Sequence, residues 1–454
     1  MRAETPTVAP RLALRRLNLA DVAAGDIEAR RLRDAMVRRA AVSDPTVREG
    51  VQRILADVRA RGGQAVRDAN AAVGGSGRDG RLVIQPAEMR AARDALPNRR
   101  RRALEQAIDN VRRFAETQRP ASTRTTIPPG IELERRWVPL DRVGAYVPGG
   151  SAPYPSSLVM TVVPARVAGV EQVVVASPAD RAGDVDPTLL GAAGLLEVDA
   201  FLVAGGAQAI GALAFGLPDE GFEPVDRVVG PGNAWVTAAK IEVSSSVAID
   251  LPAGPSEGMV LAVPPADPVR VAADLITQAE HGPDSPAILV TMDPEFAAAV
   301  ERAVAALVER APRGAILAAS LRDHGAVVLA PSLDAAVDFV NAYAPEHLSI
   351  DVEPLEPTVA AIRNAGSVFV GPWAPESAGD YATGANHVLP TGGLARGSGG
   401  LAVETYGKFI QVQRVSREGL ASIRDTIATL AEAEGLFAHR DAVELRFEPT
   451  EADR

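Results

Sequence analysis

The stretch Val228–Lys240, VVGPGNAWVTAAK, decides how the chain is read. Two β-branched residues run into a glycine–proline turn, and an alanine-rich pattern of helical type follows at once. A strand that turns directly into a helix is the unit from which parallel α/β sheets are built. The same texture continues in both directions from Leu140 onward. The strand candidates are QVVVASP at 172, AFLVAG at 200, DRVVGP at 226, VAIDLP at 247, GMVLAVPP at 258, AILVTM at 287, AVVLAP at 326 and SVFVGP at 367. Helical patterns such as DPVRVAADLITQAEHG (267–282) and DPEFAAAVERAVAALVERA (293–311) separate many of them, which predicts βαβ units. A short echo, VVVASPAD (173–180) against MVLAVPPAD (259–267), suggests two similar α/β domains.

The first third is different. Residues 1 to about 120 read as mainly helical and rich in Arg and Ala, with Ser43 or Asp44 as an N-cap and Pro45 in the first turn of a helix. After Gly400 the pattern is helical again, through REGLASIRDTIATLAEAEG, and closes with DAVELRF. This predicts a separate C-terminal appendage.

Glycine loops mark the places where backbone N–H groups can meet a ligand. GSGRDG (75–80) has the spacing of a dinucleotide-binding loop, but a helical pattern precedes it and the strand RLVIQP follows, so it reads as a turn. Three others follow strand-like residues: YVPGGSAPYPSS from Tyr146, VAGGAQAIGALAFG from Val203, and the opening stretch. The second and third run into helices, the geometry that suits an anion. A ligand crevice and ordinary turn glycines both satisfy this pattern.

Composition narrows the function. The chain has 454 residues and a formal net charge of −11, which disfavours broad nucleic-acid affinity. Of its 47 basic residues only Lys240 and Lys408 are lysines, and the run Arg99–Arg102 reads as a solvated helix face. The N-terminus lacks the apolar core of a secretory signal, and the longest apolar region is broken by Glu197 and Asp199. A cytoplasmic protein without a membrane span is expected. There is no cysteine, which removes disulfides, thiolate metal sites and cysteine nucleophiles together.

Polar residues gather around the few histidines. His281 follows Gln278 by three residues, on one helix face; His347 follows Glu346 directly; His439 follows Glu434 by five. His387 follows Asp380 by seven within GPWAPESAGDYATGANHVLPT (371–391), an irregular run that also holds Glu376 and Asn386. His324, in RDHGAV, has no polar cluster around it and reads as a surface residue. Any one of these is explained by a satisfied or exposed side chain. Together they form a nitrogen- and oxygen-rich set that suits zinc or another borderline divalent ion. The adjacent Glu346 and His347 offer two bases of different strength.

VGAYVPGGSAPYPSSLVMTVVPARVAGV, GPGNAWV, AGPSE, QAEHGPDSPAILVT, APEHL and PESAGDYATGANHVLPT together resemble the histidinol dehydrogenase family, in order and in spacing, from about Asp44 to Phe447. The resemblance implies oxidation of L-histidinol to L-histidine through the aldehyde, with two NAD⁺ and one Zn²⁺ per site. It places the zinc ligands on Gln278, His281, Asp380 and His439, and the acid/base pair on Glu346 and His347. Substrate contacts fall on Ser256, Gln278, His281, His347, Asp380, Glu434 and His439; NAD contacts fall on Tyr146, Gln208 and Asn233, one in each glycine loop. It also implies a homodimer in which the C-terminal tail reaches the partner's site. Three places depart from the family pattern: the helix RARGGQAVRDANAAV, Trp235 in GPGNAWV, and Gly258 after AGPSE, where a β-branched residue is usual.

The implied fold is two similar Rossmann-like domains with incomplete parallel sheets, a helical N-terminal arm and a small C-terminal helical appendage. The expected boundaries are 1–43 for the arm, 44–145 with 253–400 for the metal and acid/base domain, 146–252 for the NAD domain, and 401–454 for the appendage. Oxidising an aldehyde commonly uses a cysteine thioester, which this chain cannot form, so water activated by Glu346 is the expected route. A zinc- and NAD-dependent dehydrogenase of another small alcohol, a metal-dependent hydrolase with the same ligands, and a non-catalytic zinc or nucleotide scaffold are the competing readings. Glu434 and His439 favour a substrate bearing an imidazole, and the Glu346–His347 pair disfavours the scaffold.

Overall fold

Apolar runs that are buried on both faces form the centre of the molecule, as expected of parallel strands covered by helices. The computed structural model describes residues 14–39, 45–127, 130–149 and 152–449. The N-cap expected at Ser43 or Asp44 lies outside these residues. The chain divides into two units, Met1–Gln118 with Leu140–Tyr406, and Arg119–Pro139 with Gly407–Arg454.

The larger unit holds two six-stranded sheets. Sheet I runs β2 (Val83–Ile84), β7 (Ala200–Val203), β6 (Gln172–Ser177), β5 (Arg142–Tyr146), β8 (Arg227–Val229), β9 (Ala248–Ile249). Sheet II runs β1 (Arg15–Asn18), β12 (Ala326–Leu329), β11 (Ala287–Thr291), β10 (Gly258–Ala262), β13 (His347–Asp351), β14 (Ser367–Val370). All pairings are parallel except β2 with β7. Counted from their own first central strand, β5 or β10, both sheets have the doubly wound order 3-2-1-4-5 with one extra strand beside strand 3. Helices begin where Asp caps precede Pro: Asp186–Pro187, Asp267–Pro268 and Asp293–Pro294 each use the Asp side chain as acceptor for the first free N–H groups.

Two similar domains are therefore present, but the echo that suggested them does not mark equivalent positions. VVVASPAD belongs to the second strand of sheet I, and MVLAVPPAD to the first strand of sheet II. GSGRDG is the predicted turn, lying between helix Gly63–Val73 and β2.

Three expectations about the ends need correction. The N-terminal arm is not only helical: Arg15–Asn18 forms the edge strand of sheet II, parallel to β12. Residues 45–145 do not join that sheet. Val51, Leu55 and Val58, one stripe of helix Pro45–Arg61, pack into the core of sheet I with Ile210, Leu213 and Val236. Gly211 permits the approach, since a Cβ there would lie 3.1 Å from Leu55. β2 and β5 are members of sheet I as well. The smaller unit, finally, is not purely helical. It contains an antiparallel sheet β15 (Gly407–Val415), β4 (Ile131–Pro139), β3 (Thr123–Ile127), together with helices Arg417–Ala433 and Phe437–Glu444.

Candidate active site

The loops that leave the strands of sheet I and the loops that enter the strands of sheet II line one cleft of about 280 Å³. From sheet I come Pro148, Tyr154, Ser156 and Ser157 after β5, and Pro231–Ala234 after β8. From sheet II come Gly254–Ser256 ahead of β10, His281 and Ser285 ahead of β11, and Glu346 and His347 at the start of β13. Asp380, Tyr381 and His387 complete the wall.

His347 is the centre. It is 3% exposed, yet neither ring nitrogen has a hydrogen-bond partner among the described residues. Carboxylates surround it: Nδ1 lies 3.7 Å from Glu346 and 3.9 Å from Glu376, and Nε2 lies 3.9 Å from Asp380. Burial, reinforced by His281 and His387, pushes its pKa down to about 3, so the imidazole is neutral and one ring nitrogen carries a lone pair.

Glu346 is held by its neighbours across the sheet. Its Oε2 accepts from Ser256 Oγ and from the Glu257 amide, both at 2.8 Å. The β10–β13 register, Gly258 beside His347, puts these donors there. Burial raises the pKa of Glu346 well above the ordinary carboxylate value, against the pull of those two hydrogen bonds. Burial also raises Glu376 strongly, aided by Asp380 and Glu346, and raises Asp380, with His387 and His281 opposing. A bound cation would reverse that balance, because its charge favours the ionised carboxylates.

The donors suited to a metal lie alongside. His281, Glu376 and Asp380 each bring one ligand atom within 4.8 Å of the others. His281 Nδ1 is within reach of the carbonyls of Thr277 (3.2 Å) and Gln278 (3.3 Å), which accept its proton and leave Nε2 as the free ligand. Gln278 is 1% exposed, and both atoms of its side-chain amide lack a partner among the described residues. Buried amides are rarely left so. An oxygen- and nitrogen-rich set of this kind fits a divalent ion of borderline softness.

This region also accounts for two departures from the family pattern. A Cβ at Gly258 would lie 2.7 Å from Gln278 Cγ and 3.0 Å from its Oε1, so glycine leaves room for this placement of Gln278. A Cβ at Gly50 would lie 2.6 Å from the Trp235 ring, so Gly50 accommodates the tryptophan.

The dinucleotide candidates are placed unequally. Asn233 lines the cleft and caps helix Ala234–Val243, accepting from the amides of Trp235 and Val236 at 3.0 and 3.2 Å. Tyr146 is buried, with its hydroxyl accepting the Gly206 N–H at 3.2 Å. Gln208 is buried too, and donates to Asn70 at 3.0 Å. These two tie the first glycine loop to the second, and the second to the body at Asn70. Glu434, at the end of helix Arg417–Ala433, and His439, exposed on helix Phe437–Glu444, belong to the smaller unit.

Glu376 escaped the sequence reading as a functional residue, although its spacing of four from Asp380 places both on one helical face. His387, left without a role there, is a strap: Nδ1 donates to the Asp380 carbonyl at 3.0 Å, and Nε2 accepts from Ser157 Oγ at 3.3 Å.

No helix of the described residues is long and apolar enough to cross a membrane. The sequence model for histidinol dehydrogenase matches residues 37–447. A histidinol dehydrogenase of Leifsonia xyli is 48% identical over 400 residues, 87% of this chain and 91% of that one. One of Halobacterium salinarum is 50% identical over 362 residues, 80% and 84% of the two chains. The crystal structure of histidinol dehydrogenase from Elizabethkingia anophelis superposes with a TM-score of 0.87 at 34% identity, covering 95% of this chain and 98% of that one.

Proposed function

This chain belongs to the histidinol dehydrogenase family, and from that premise we infer how its cleft divides the work of oxidation. The activity is the NAD-dependent oxidation of L-histidinol to L-histidine, in histidine biosynthesis. The observation that carries our assignment of roles is the unpaired, neutral His347 set among three carboxylates beside an unpaired Gln278 amide. That arrangement supplies a base and a set of metal donors within one cleft.

We assign Zn²⁺ to Gln278, His281 and Asp380, with His439 of the partner subunit as the fourth ligand in a homodimer. When bound, zinc supplies an electrophilic anchor for the substrate's nitrogens, and NAD⁺ supplies the hydride acceptor. His347 takes the hydroxyl proton as the alcohol carbon loses hydride, which gives the aldehyde. Glu346 then removes a proton from water as its oxygen adds to the aldehyde carbon. The resulting gem-diolate anion loses the second hydride to the dinucleotide, giving the carboxylic acid, which releases one more proton to become the carboxylate. No thioester enters, because the chain has no cysteine. Ser256 and the Glu257 amide keep Glu346 pointed at the water. His387 and Ser157 hold the segment carrying Asp380. Glu434 and His439 of the partner subunit would contact the imidazole end of the substrate. Asn233 meets the dinucleotide directly, while Tyr146 and Gln208 shape the loops around it. Substrate and cofactor are both small and water-soluble, and we place the reaction in the cytoplasm.

Incubation with L-histidinol and NAD⁺, with and without prior chelation, tests the scheme. Two NADH per substrate and loss of turnover with the metal are expected. Full turnover after verified metal removal would overturn the zinc assignment. Shared sites are tested with mixed dimers of a His281→Ala chain and a His439→Ala chain. Crossing tails leave one site intact and restore activity, whereas tails acting on their own chain leave every site damaged.

A further inference from the structure

In a chain that uses arginine for nearly every basic position, one of the two lysines is buried. Lys408 is exposed; Lys240 has a side chain only 2% exposed, against Asp250 at 1%. The two meet around Gly230, the first glycine of the turn that bears Asn233. Asp250 Oδ2 accepts the Gly230 N–H at 2.7 Å, and Lys240 Nζ donates to the Gly230 carbonyl at 3.0 Å. The same ammonium forms an ion pair with Asp250 Oδ1. Both peptide groups of a single residue are thus fixed by side chains from two different elements, helix Ala234–Val243 and the segment leaving β9.

Gly230 needs such restraint. Its φ is +110°, and a Cβ there would lie 2.1 Å from the Tyr146 carbonyl, so the turn passes directly over the end of β5. This is the point where the strand order of sheet I reverses, at the carboxyl ends of β5 and β8. We propose that Lys240 and Asp250 are positioning residues, a buried clamp on Gly230 that sets the Gly230–Asn233 turn for the dinucleotide. The proposal rests on reading this edge of the cleft as the NAD side. Neither residue lines the cleft, so the clamp acts through the backbone it holds.

Stability alone is a poor reason for such a pair. Buried ion pairs can often be replaced by apolar residues without loss, because desolvation offsets the attraction. The geometry also explains why lysine persists here. A compact ammonium with three rotatable donors can meet a carbonyl and a carboxylate from different directions, whereas the planar guanidinium fork requires acceptors in its own plane.

The test compares wild-type enzyme, Lys240→Arg, and the charge-free double variant Lys240→Met/Asp250→Asn. Thermal unfolding, metal content, NADH binding by fluorescence, and the KM for each substrate are measured. The double variant should fold and keep its metal and its KM for L-histidinol. Its NADH Kd and its KM for NAD⁺ should rise about tenfold or more, as misplacement of a binding loop implies. Lys240→Arg should show the same selective loss although it keeps the charge. A folded double variant whose NADH affinity stays within about twofold of wild type, or which loses affinity for both substrates equally, overturns the clamp. Failure of the double variant to fold overturns it as well, since the pair would then hold the fold rather than the turn. A wild-type enzyme that neither binds NADH nor reduces NAD⁺ defeats the dinucleotide reading itself, and that result is read before any variant is made.

Discussion

Sheets I and II have the same strand order, but they meet the cleft with opposite edges. Sheet I offers the carboxyl ends of its strands, the usual ligand edge of a doubly wound sheet. There the helices Pro155–Ala168 and Ala234–Val243 begin, which puts the positive ends of their dipoles on this edge of the cleft. Sheet II offers the amino ends of its strands. There helix Pro268–Ala279 ends one residue after Gln278, and carboxylates and imidazoles take the place of glycine turns. One edge is built for an anion and the other for a cation. On the proposed reading, the chain direction at the cleft, more than the order of the strands, separates the dinucleotide half from the metal half.

Four experiments press on this division. The largest effect belongs to the proposed base at the start of β13. His347→Asn should lower kcat about a hundred- to ten-thousandfold in single-turnover oxidation of L-histidinol, while NADH binding stays unchanged. Glu346→Gln should slow the aldehyde half-reaction more than the alcohol half. Equal slowing of both halves would show that the two roles are misassigned.

Next comes Gly258→Val. Displacing Gln278 should weaken metal affinity about ten- to a hundredfold, in the range of altered support for a metal ligand. Competition with a chelator reads this directly. A variant with native metal affinity would remove Gln278 from the ligand set or show that it can move aside.

On the opposite edge, Asn233→Ala removes a helix cap, worth about 1 kcal/mol. NADH affinity should fall about fivefold or more, with metal affinity intact. Restoring the cap with Asn233→Ser should recover the thermal stability but not the affinity if the amide touches the dinucleotide. Recovery of both would reduce Asn233 to a cap.

The last test reads stability alone and sharpens the electrostatic contrast. Asp274, on the helix that carries Gln278, has its pKa pushed up to about 6 by burial and by Asp351. Its unfolded value is lower, so the folded state holds more proton between pH 4 and 6. Stability therefore falls as pH rises through that window, and the cost persists above it. Asp274→Asn should raise stability at pH 7.5 by on the order of 1–2 kcal/mol and change little below about pH 4, as read from denaturant titrations at the two pH values.

Much of this division was legible in the letters, and some of it was not. Strands with uninterrupted apolar runs, such as those at 172, 258 and 287, announce themselves because both faces are buried. β13 does not, because it opens with His347 and carries Ser349 in its middle. β1 is Arg-Arg-Leu-Asn, with only Leu17 buried, and reads as arm rather than strand. β15 exposes most of its residues and finds its partner far back at Ile131–Pro139. For the site, the histidines and their neighbours were visible as pairs in sequence. Glu376 was not singled out, because what marks it is burial without a partner, and neither property has a local signature.

The edge strand β1 also bears on how the chain is made. Sheet I draws all its strands from residues 83 to 249, so it can close while later residues are still being added. Arg15 must wait for Ala326, and Ile131 for Val415, before either strand has a neighbour. Contacts so distant in sequence come late and leave an unpaired edge open in the meantime. Pulsed hydrogen exchange during refolding should therefore protect β5 and β6 before β12, and simultaneous protection would show that the two sheets are a single cooperative unit. Strand β1 is then among the last to find its place although it precedes the rest of its sheet in the chain, and the open edge it will cover on β12 is the point most exposed to aggregation in the meantime.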